Sequence, residues 1–313
     1  MTVRLGTRGS ALALAQAGRI RDRVAALGTP CELVVVTTQG DVSKASLAQI
    51  GGTGVFAGAL RAALLDGEVD LVVHSLKDLP VAPAPGLVVA GVPEREDARD
   101  VLCARDGLAL ADLPSGAVVG TGSPRRHAQL VDRRPDLEVV DLRGNVDTRL
   151  GRVRDGALDA VLLSFAGLAR LGRLDAVTDV LELADWPTAA GQGALAMEVR
   201  EADAATATPV GAAVAALTDP VAQDAARAER RVLGLLEAGC AAPIGVASTV
   251  SADGATIWAS VHRPGGGARI DRSRRVTFTA QDRATVLSGA AEALAADLLA
   301  AGAAELAPIG PAR

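Results

Sequence analysis

Short apolar runs alternate with longer amphipathic or Ala- and Leu-rich stretches from the first residues onward, and that rhythm predicts an α/β fold. Residues 3–7 read as a strand, Ser10 stands where an N-cap would open a helix over 11–27, and Gly28 and Pro30 end it. A second strand is predicted over 31–38, followed by a long loop over 39–54 that carries Gly51, Gly52 and Gly54. A helix over 55–65 leads into DLVVHSLKDLP, residues 70–80. There Leu71, Val72 and Val73 form a buried strand, Lys77 and Asp78 follow at its end, and Pro80 removes a backbone donor and stops the pairing. Ligands of open α/β sheets bind outside the carboxyl ends of strands, which makes Lys77 and Asp78 site candidates. An ordinary solvated turn is the competing reading of such a charge pair.

A polar stretch, EREDAR at 94–99, marks a boundary before a second alternation with strands over 101–104 and 117–121. In GTGSPRRHAQL, residues 120–130, glycines turn a strand into a helix with Ser123 as cap and Pro124 at its first position. Arg125 and Arg126 then occupy a first turn where the helix dipole disfavours cations by about 0.3 to 1 kcal/mol each, unless an anion joins them. An anion site is favoured over a plain surface helix start. A strand over 138–142 precedes RGNVDTRLGRVR, which supplies Arg143, Arg149, Arg152 and Arg154, the last two read as surface partners of Asp147 and Asp155. Arg170 follows a strand over 160–164, so arginines recur after strand ends. WPTAAGQG, residues 186–193, feeds a strand over 194–199, and a second boundary falls at 200–209. A helix over 221–236 ends at a turn with Gly239, Cys240 and Pro243. Strand-like runs over 246–250, 257–262 and 276–279 and a helix over 282–301 describe a small α+β domain.

With 313 residues, 49% hydrophobic and 22% charged, the chain has material for two or three packed domains. Its formal net charge of −5 and its aromatic content of 2%, without any Tyr, argue against a nucleic-acid binder and its stacking platforms. No secretory signal or membrane-spanning run is recognised, so a cytoplasmic protein is expected. Cys31, Cys103 and Cys240 lie far apart, which suits a reducing compartment; the first two sit in apolar strands as core thiols. His74, His127 and His262 have no ligands at metal spacing, and no metal site is expected. Neither a P-loop nor a strand-borne GxGxxG occurs.

Several arginines at strand ends, an Asp on a turn and a Cys outside any strand describe a polyanion-binding cleft with a covalent anchor. The segments GTRGSALALAQA, TQGD, HSLKDLP, EREDARD, GTGSPRRHAQL, RGNVDTRL, AGLARLG, AAGQGA and AGCAAPIG follow one another in this order and carry a resemblance to a known family. The chain resembles the porphobilinogen deaminase family over essentially its whole length. That resemblance implies two periplasmic-binding-protein-like (type II) α/β lobes around a cleft plus a small α+β C-terminal domain. Domain 1 would comprise 1–94 and 190–210, domain 2 would be 95–189, and domain 3, carrying the cysteine, 211–313.

The implied activity is a transferase that builds a dipyrromethane cofactor on Cys240 through a thioether, extends it by four porphobilinogen units and releases hydroxymethylbilane for tetrapyrrole synthesis. Asp78 matches the catalytic aspartate, a carboxylate suited to stabilise the cationic azafulvene left by loss of ammonia. Lys77, Ser123, Arg125, Arg126 and Arg149 match cofactor-binding positions, and Arg8, Ser10, Arg143 and Arg170 substrate-binding ones. Each pyrrole brings an acetate and a propionate, and arginine forks bind carboxylates bidentately. Thr53 and Gly58 stand where many relatives have lysines, and Asp147 replaces a frequent glycine in a position to hold Arg143 or Arg149. A monomer is expected, without nucleic-acid or membrane partners. The alternative is a non-catalytic two-lobed binding protein for a carboxylate-rich ligand, in which Cys240 and Asp78 have no role.

Overall fold

The computed structural model describes residues 2–37, 54–238 and 242–309. In chain order the first elements are β1 (Val3–Thr7), α1 (Ala11–Ala26), β2 (Cys31–Val35), α2 (Gly54–Leu65), β3 (Leu71–Ser75) and β4 (Leu87–Gly91). Next come β5 (Asp100–Ala104), β6 (Val118–Gly120), α3 (Pro124–Arg133), β7 (Glu138–Val140), α4 (Val146–Arg154), β8 (Ala160–Ser164), α5 (Phe165–Leu171) and β9 (Asp179–Leu181). The remainder is β10 (Leu195–Arg200), α6 (Pro209–Leu217), α7 (Pro220–Leu235), β11 (Ile244–Val250), β12 (Gly254–His262), β13 (Arg269–Thr277), α8 (Arg283–Ala300) and α9 (Ala303–Leu306).

Two compact units result, Met1–Glu96 with Ala194–Ala226, and Asp97–Gly193 with Arg227–Arg313. The first is built on a five-stranded sheet of order β2-β1-β3-β10-β4. β1 runs parallel to β2 and β3, while β10 enters antiparallel between β3 and β4. Leu5, Leu71, Met197 and Val199 pack from the sheet against Ile20 and Val24 of α1 and Val210, Val214 and Leu217 of α6. Leu60 and Leu64 of α2 pack with Val69 and Val72. Asp70, at the start of β3, is buried and bound by Arg4 (2.7 Å) and Arg200 (3.3 Å). Burial alone would raise its pKa, but the Arg4 hydrogen bonds outweigh that and hold the carboxyl below its ordinary value.

The second unit holds two sheets. One has the order β7-β6-β8-β5-β9, with β6 parallel to β7 and β8 and β5 antiparallel to both its neighbours. The other is the antiparallel sheet β11-β12-β13, whose inner face packs Val246, Ile257 and Val261 on Leu287, Leu294 and Leu298 of α8. A buried network ties α3 to β12: His262 bonds Asp132, and Ser260 lies 2.6 Å from His262 and from Asp271.

The α/β class is as expected, and most predicted elements are present within a few residues of their expected ends. Four differ. β13 extends back to Arg269 through RIDRSRR because it is an edge strand; it presents arginines to solvent and shows no apolar alternation. α6, capped by Thr208 Oγ1 accepting from the Gly211 amide, occupies the expected boundary, and its residues lie with those of α7 as far as Ala226 in the first unit. β4 and β9, both edge strands, had no predicted counterpart.

Candidate active site

In the first unit the site forms at the carboxyl ends of β1 and β3, where chain and side chains turn away from the sheet together. Ser10 caps α1, its Oγ accepting from the Ala13 amide at 3.3 Å, and so fixes the loop that carries Arg8 two residues earlier. After β3 the chain makes a single 3₁₀ turn, Leu76–Asp78, anchored by the buried Leu76 and Leu79. That turn leaves Lys77 half-buried and Asp78 exposed. Arg8, Gln16, His74, Ser75 and Asp78, with the apolar Ala57 and Leu60, line a cavity of about 50 Å³. Gln16 donates from Nε2 to Ser75 Oγ at 3.0 Å. Below, Glu198 is buried between His74 (3.1 Å) and the Arg61 fork (2.8 Å). Burial would raise the Glu198 pKa, yet His74 and Arg61 together hold its carboxyl below the usual range.

In the second unit Ser123 caps α3, accepting from the Arg126 amide at 3.4 Å, with Pro124 next. The approach is tight: a Cβ on Gly122 would lie 2.7 Å from the Leu142 carbonyl oxygen. Arg125 and Arg126 are buried, and both bind Asp100, at 2.8 and 2.6 Å. Trp186 Nε1 (3.0 Å) and Gln192 Nε2 (2.8 Å) also donate to Asp100. Burial would push the Asp100 carboxyl up, but the two guanidinium groups dominate and hold it far below the ordinary aspartate value. The Nε atoms of Arg125 and Arg126 have no hydrogen-bond partner among the described residues.

Arg149, on α4, donates to the Gly144 carbonyl at 2.9 Å. Burial, then the positive charges of Arg126 and Arg143, weaken its basicity, with only Asp141 opposing. Arg149 thus feels the positive charge of two neighbouring guanidinium groups, an arrangement that an anion relieves. Arg143 is exposed, 3.5 Å from Asp141, and Arg170 donates to the Gly193 carbonyl at 2.5 Å. Asp147 binds Arg173 at 2.9 Å, not Arg143 or Arg149, and Arg154 takes Asp155 at the surface.

The first-unit candidates Arg8 and Asp78 thus share a cavity, and in the second Arg149 feels the charge of Arg126 and Arg143. Cys240 and Thr53 lie outside the described residues, as does most of the 39–54 loop. Cys31 is half-buried and Cys103 buried, and burial pushes their thiols up to about 11 and 12. The residues missed from sequence are Asp100, Gln192, Glu198 and Arg61. Asp100 and Gln192 stood inside quoted motifs, EREDARD and AAGQGA, but nothing local tied them to the arginines.

Among proteins of known family, residues 3–208 match the model "Porphobilinogen deaminase, dipyromethane cofactor binding domain". A porphobilinogen deaminase of Leifsonia xyli is 56% identical over 311 residues, 98% of this chain and 94% of that one. The chain belongs to the porphobilinogen deaminase family. A Corynebacterium efficiens porphobilinogen deaminase is 47% identical over 98% of this chain and 99% of its own. A periplasmic substrate-binding protein of an ABC transporter from Coxiella burnetii is similar at TM-score 0.44 and 16% identity, covering 72% of this chain and 96% of its own. Membership brings with it hydroxymethylbilane synthase activity and a dipyrromethane cofactor. The donor set fits that group: its carboxylates call for guanidinium groups, and Arg149, which feels the charge of Arg126 and Arg143, stands with the exposed Arg143 to supply them. No group of three or more metal-ligating side chains occurs among the described residues, and none of their helices is long and apolar enough to cross a membrane.

Proposed function

We propose that this chain, as a hydroxymethylbilane synthase, divides its work between an acid–base turn in the first unit and an arginine cluster in the second. The observation that carries this reading is the Arg125–Arg126 pair fixed on the buried Asp100 at 2.8 and 2.6 Å, with Trp186 and Gln192 completing the carboxylate's bonds and with Arg149 close enough to feel the Arg126 charge. Ser123, Arg125, Arg126 and Arg149, with Lys77, bind the carboxylates of the cofactor, and Cys240 is its covalent anchor. When bound, the dipyrromethane supplies the pyrrole carbon onto which each new unit is joined.

Arg8, Ser10, Arg143 and Arg170 bind the acetate and propionate of incoming porphobilinogen. Asp78, exposed at its turn, stabilises the positive charge that appears on the substrate ring as ammonia departs, and takes part in the proton transfers that follow. Asp100 does no chemistry; it fixes the two arginines so that they bind without reorganising. We further propose a monomeric, cytoplasmic enzyme without nucleic-acid or membrane partners. Its domains would be 1–94 with 190–210, 95–189 and 211–313; the three separate sheets support the number of domains, while α6 packs on the first sheet across the last of these boundaries.

Intact mass of the purified protein, with and without Cys240→Ser, tests the reading. A dipyrromethane mass increment is expected that the substitution abolishes together with bilane formation. Wild-type protein that remains unmodified after incubation with porphobilinogen would overturn it.

A further inference from the structure

The cavity beside Asp78 contains one side chain to which neither the mechanism nor the family motif gives a role. His74 lies on β3, is 8% exposed, and lines the cavity with Arg8, Gln16, Ser75 and Asp78. Its Nε2 is 3.1 Å from Glu198 Oε2. Glu198 itself is only 1% exposed and receives Arg61 through Nε, 3.1 Å from each oxygen, and through Nη2 at 2.8 Å. A carboxylate held ionised in this way can only accept, so Nε2 of His74 carries the hydrogen and donates it. In the tautomer that this contact selects, Nδ1 is left as the acceptor. Among the described residues Nδ1 makes no hydrogen bond, and it does not figure among the buried side-chain atoms without a partner.

The Arg61–Glu198–His74 chain thus has the form of an orienting clamp, with a fixed tautomer at its end. The cavity of about 50 Å³ exceeds the roughly 30 Å³ share of one liquid water, so an ammonium-sized group fits. Its polar lining offers acceptors on His74, Ser75, Gln16 and Asp78, and Arg8 is its one cation among the described residues. We propose that His74 is a further substrate-binding residue, its Nδ1 accepting a hydrogen bond from the protonated aminomethyl group of porphobilinogen, the group that leaves as ammonia. The inference rests on the function proposed above and adds to it a recognition site for the leaving group.

The step balances without any outside reagent. The bond between the methylene carbon and the ammonium nitrogen breaks, and its electron pair goes to nitrogen, which departs as neutral ammonia. The pyrrole nitrogen lone pair feeds a new double bond to that carbon, so the positive charge passes from the ammonium to the ring. His74 binds the amine before this happens, and its hydrogen bond weakens as ammonia forms. Its effect therefore falls on substrate binding more than on turnover.

Two substitutions at the same position separate this role from support of the fold. In His74→Gln the side-chain amide stands in for Nε2 and keeps the donation to Glu198, while the Nδ1 acceptor is lost. In His74→Asn an oxygen replaces Nδ1, and the Glu198 bond is lost instead. For His74→Gln the expected rise in KM for porphobilinogen is roughly ten- to a hundredfold, the loss of one hydrogen bond to a charged group, with kcat changed far less. His74→Asn should recover most of that KM. Ammonium chloride, compared with sodium chloride at equal ionic strength, should compete with substrate in the wild type and lose this effect in His74→Gln. A wild-type KM in His74→Gln, or equal impairment of both variants, would overturn the assignment of His74 while bilane formation still upheld the proposed function. Failure of the wild type to form bilane would instead remove that function.

Discussion

The two five-stranded sheets share one pattern of strand directions, with the antiparallel strand fourth in each although it comes last in the chain in one (β10) and first in the other (β5), yet their equivalent ends carry different chemistry. In each, a first strand leads through a capping serine into a helix, Ser10 before α1 and Ser123 before α3. In the first sheet the arginine comes two residues before the cap, in a half-buried loop; in the second, Arg125 and Arg126 come after it and point into the protein. The third strand also diverges. β3 ends in a one-turn 3₁₀ segment that exposes Asp78, whereas β8 passes through Ser164 into α5 and Arg170. A repeated scaffold therefore determines where chemistry can be placed, and a shift of a few residues about a cap decides whether a charge stays half-buried in a loop or is buried on a carboxylate.

If the first sheet's end is the reactive one, Asp78→Asn should leave the thermal transition in place and reduce the rate of bilane formation by about 10² to 10⁴, as for loss of a positioned acid–base group. A near-normal rate would erase the contrast. The second sheet should answer in stability before it answers in rate. Asp100→Asn strands two buried guanidinium groups and should cost about 3 to 5 kcal/mol in urea unfolding. Because the folded carboxyl lies below its unfolded value of about 3.9, this contribution is complete above that pH and is lost as the pH falls further. The stability difference between pH 7 and pH 3 should accordingly shrink in the variant.

Arg149→Ala should act more narrowly, weakening substrate or intermediate binding roughly ten- to a hundredfold while the fold persists, since it relieves repulsion from Arg126 and Arg143. Titration of the holoenzyme with porphobilinogen measures this directly. The smallest effect belongs to Arg154→Ala, which opens an exposed pair with Asp155 and should change stability by less than about 0.5 kcal/mol. A larger loss would mean that the α4 surface does more than face solvent.

Much of this contrast is legible in the sequence. Ser10 and Ser123 announce their caps through residues within four positions, and the apolar run before Lys77 and Asp78 places them at a strand end. Arg125 and Arg126 were suspect because a positive helix end repels cations. The expected answer, an anionic ligand, was incomplete, because the nearest anion is the chain's own Asp100, 25 residues upstream. The element that supplies Glu198, β10, reaches its sheet only after the chain has built the whole of β5 to β9.

By itself, then, the sequence determined what depends on near neighbours: the α/β alternation, the caps, the turn that carries Lys77 and Asp78, and the ordered motifs of the family. Tertiary structure alone decided which charges are compensated. Asp100 lies far in sequence from Arg125, Arg126, Trp186 and Gln192, and Glu198 stands 124 and 137 residues from His74 and Arg61. A buried charge is tolerated only where folding delivers its partners, and no periodicity in the chain records a pairing over such distances.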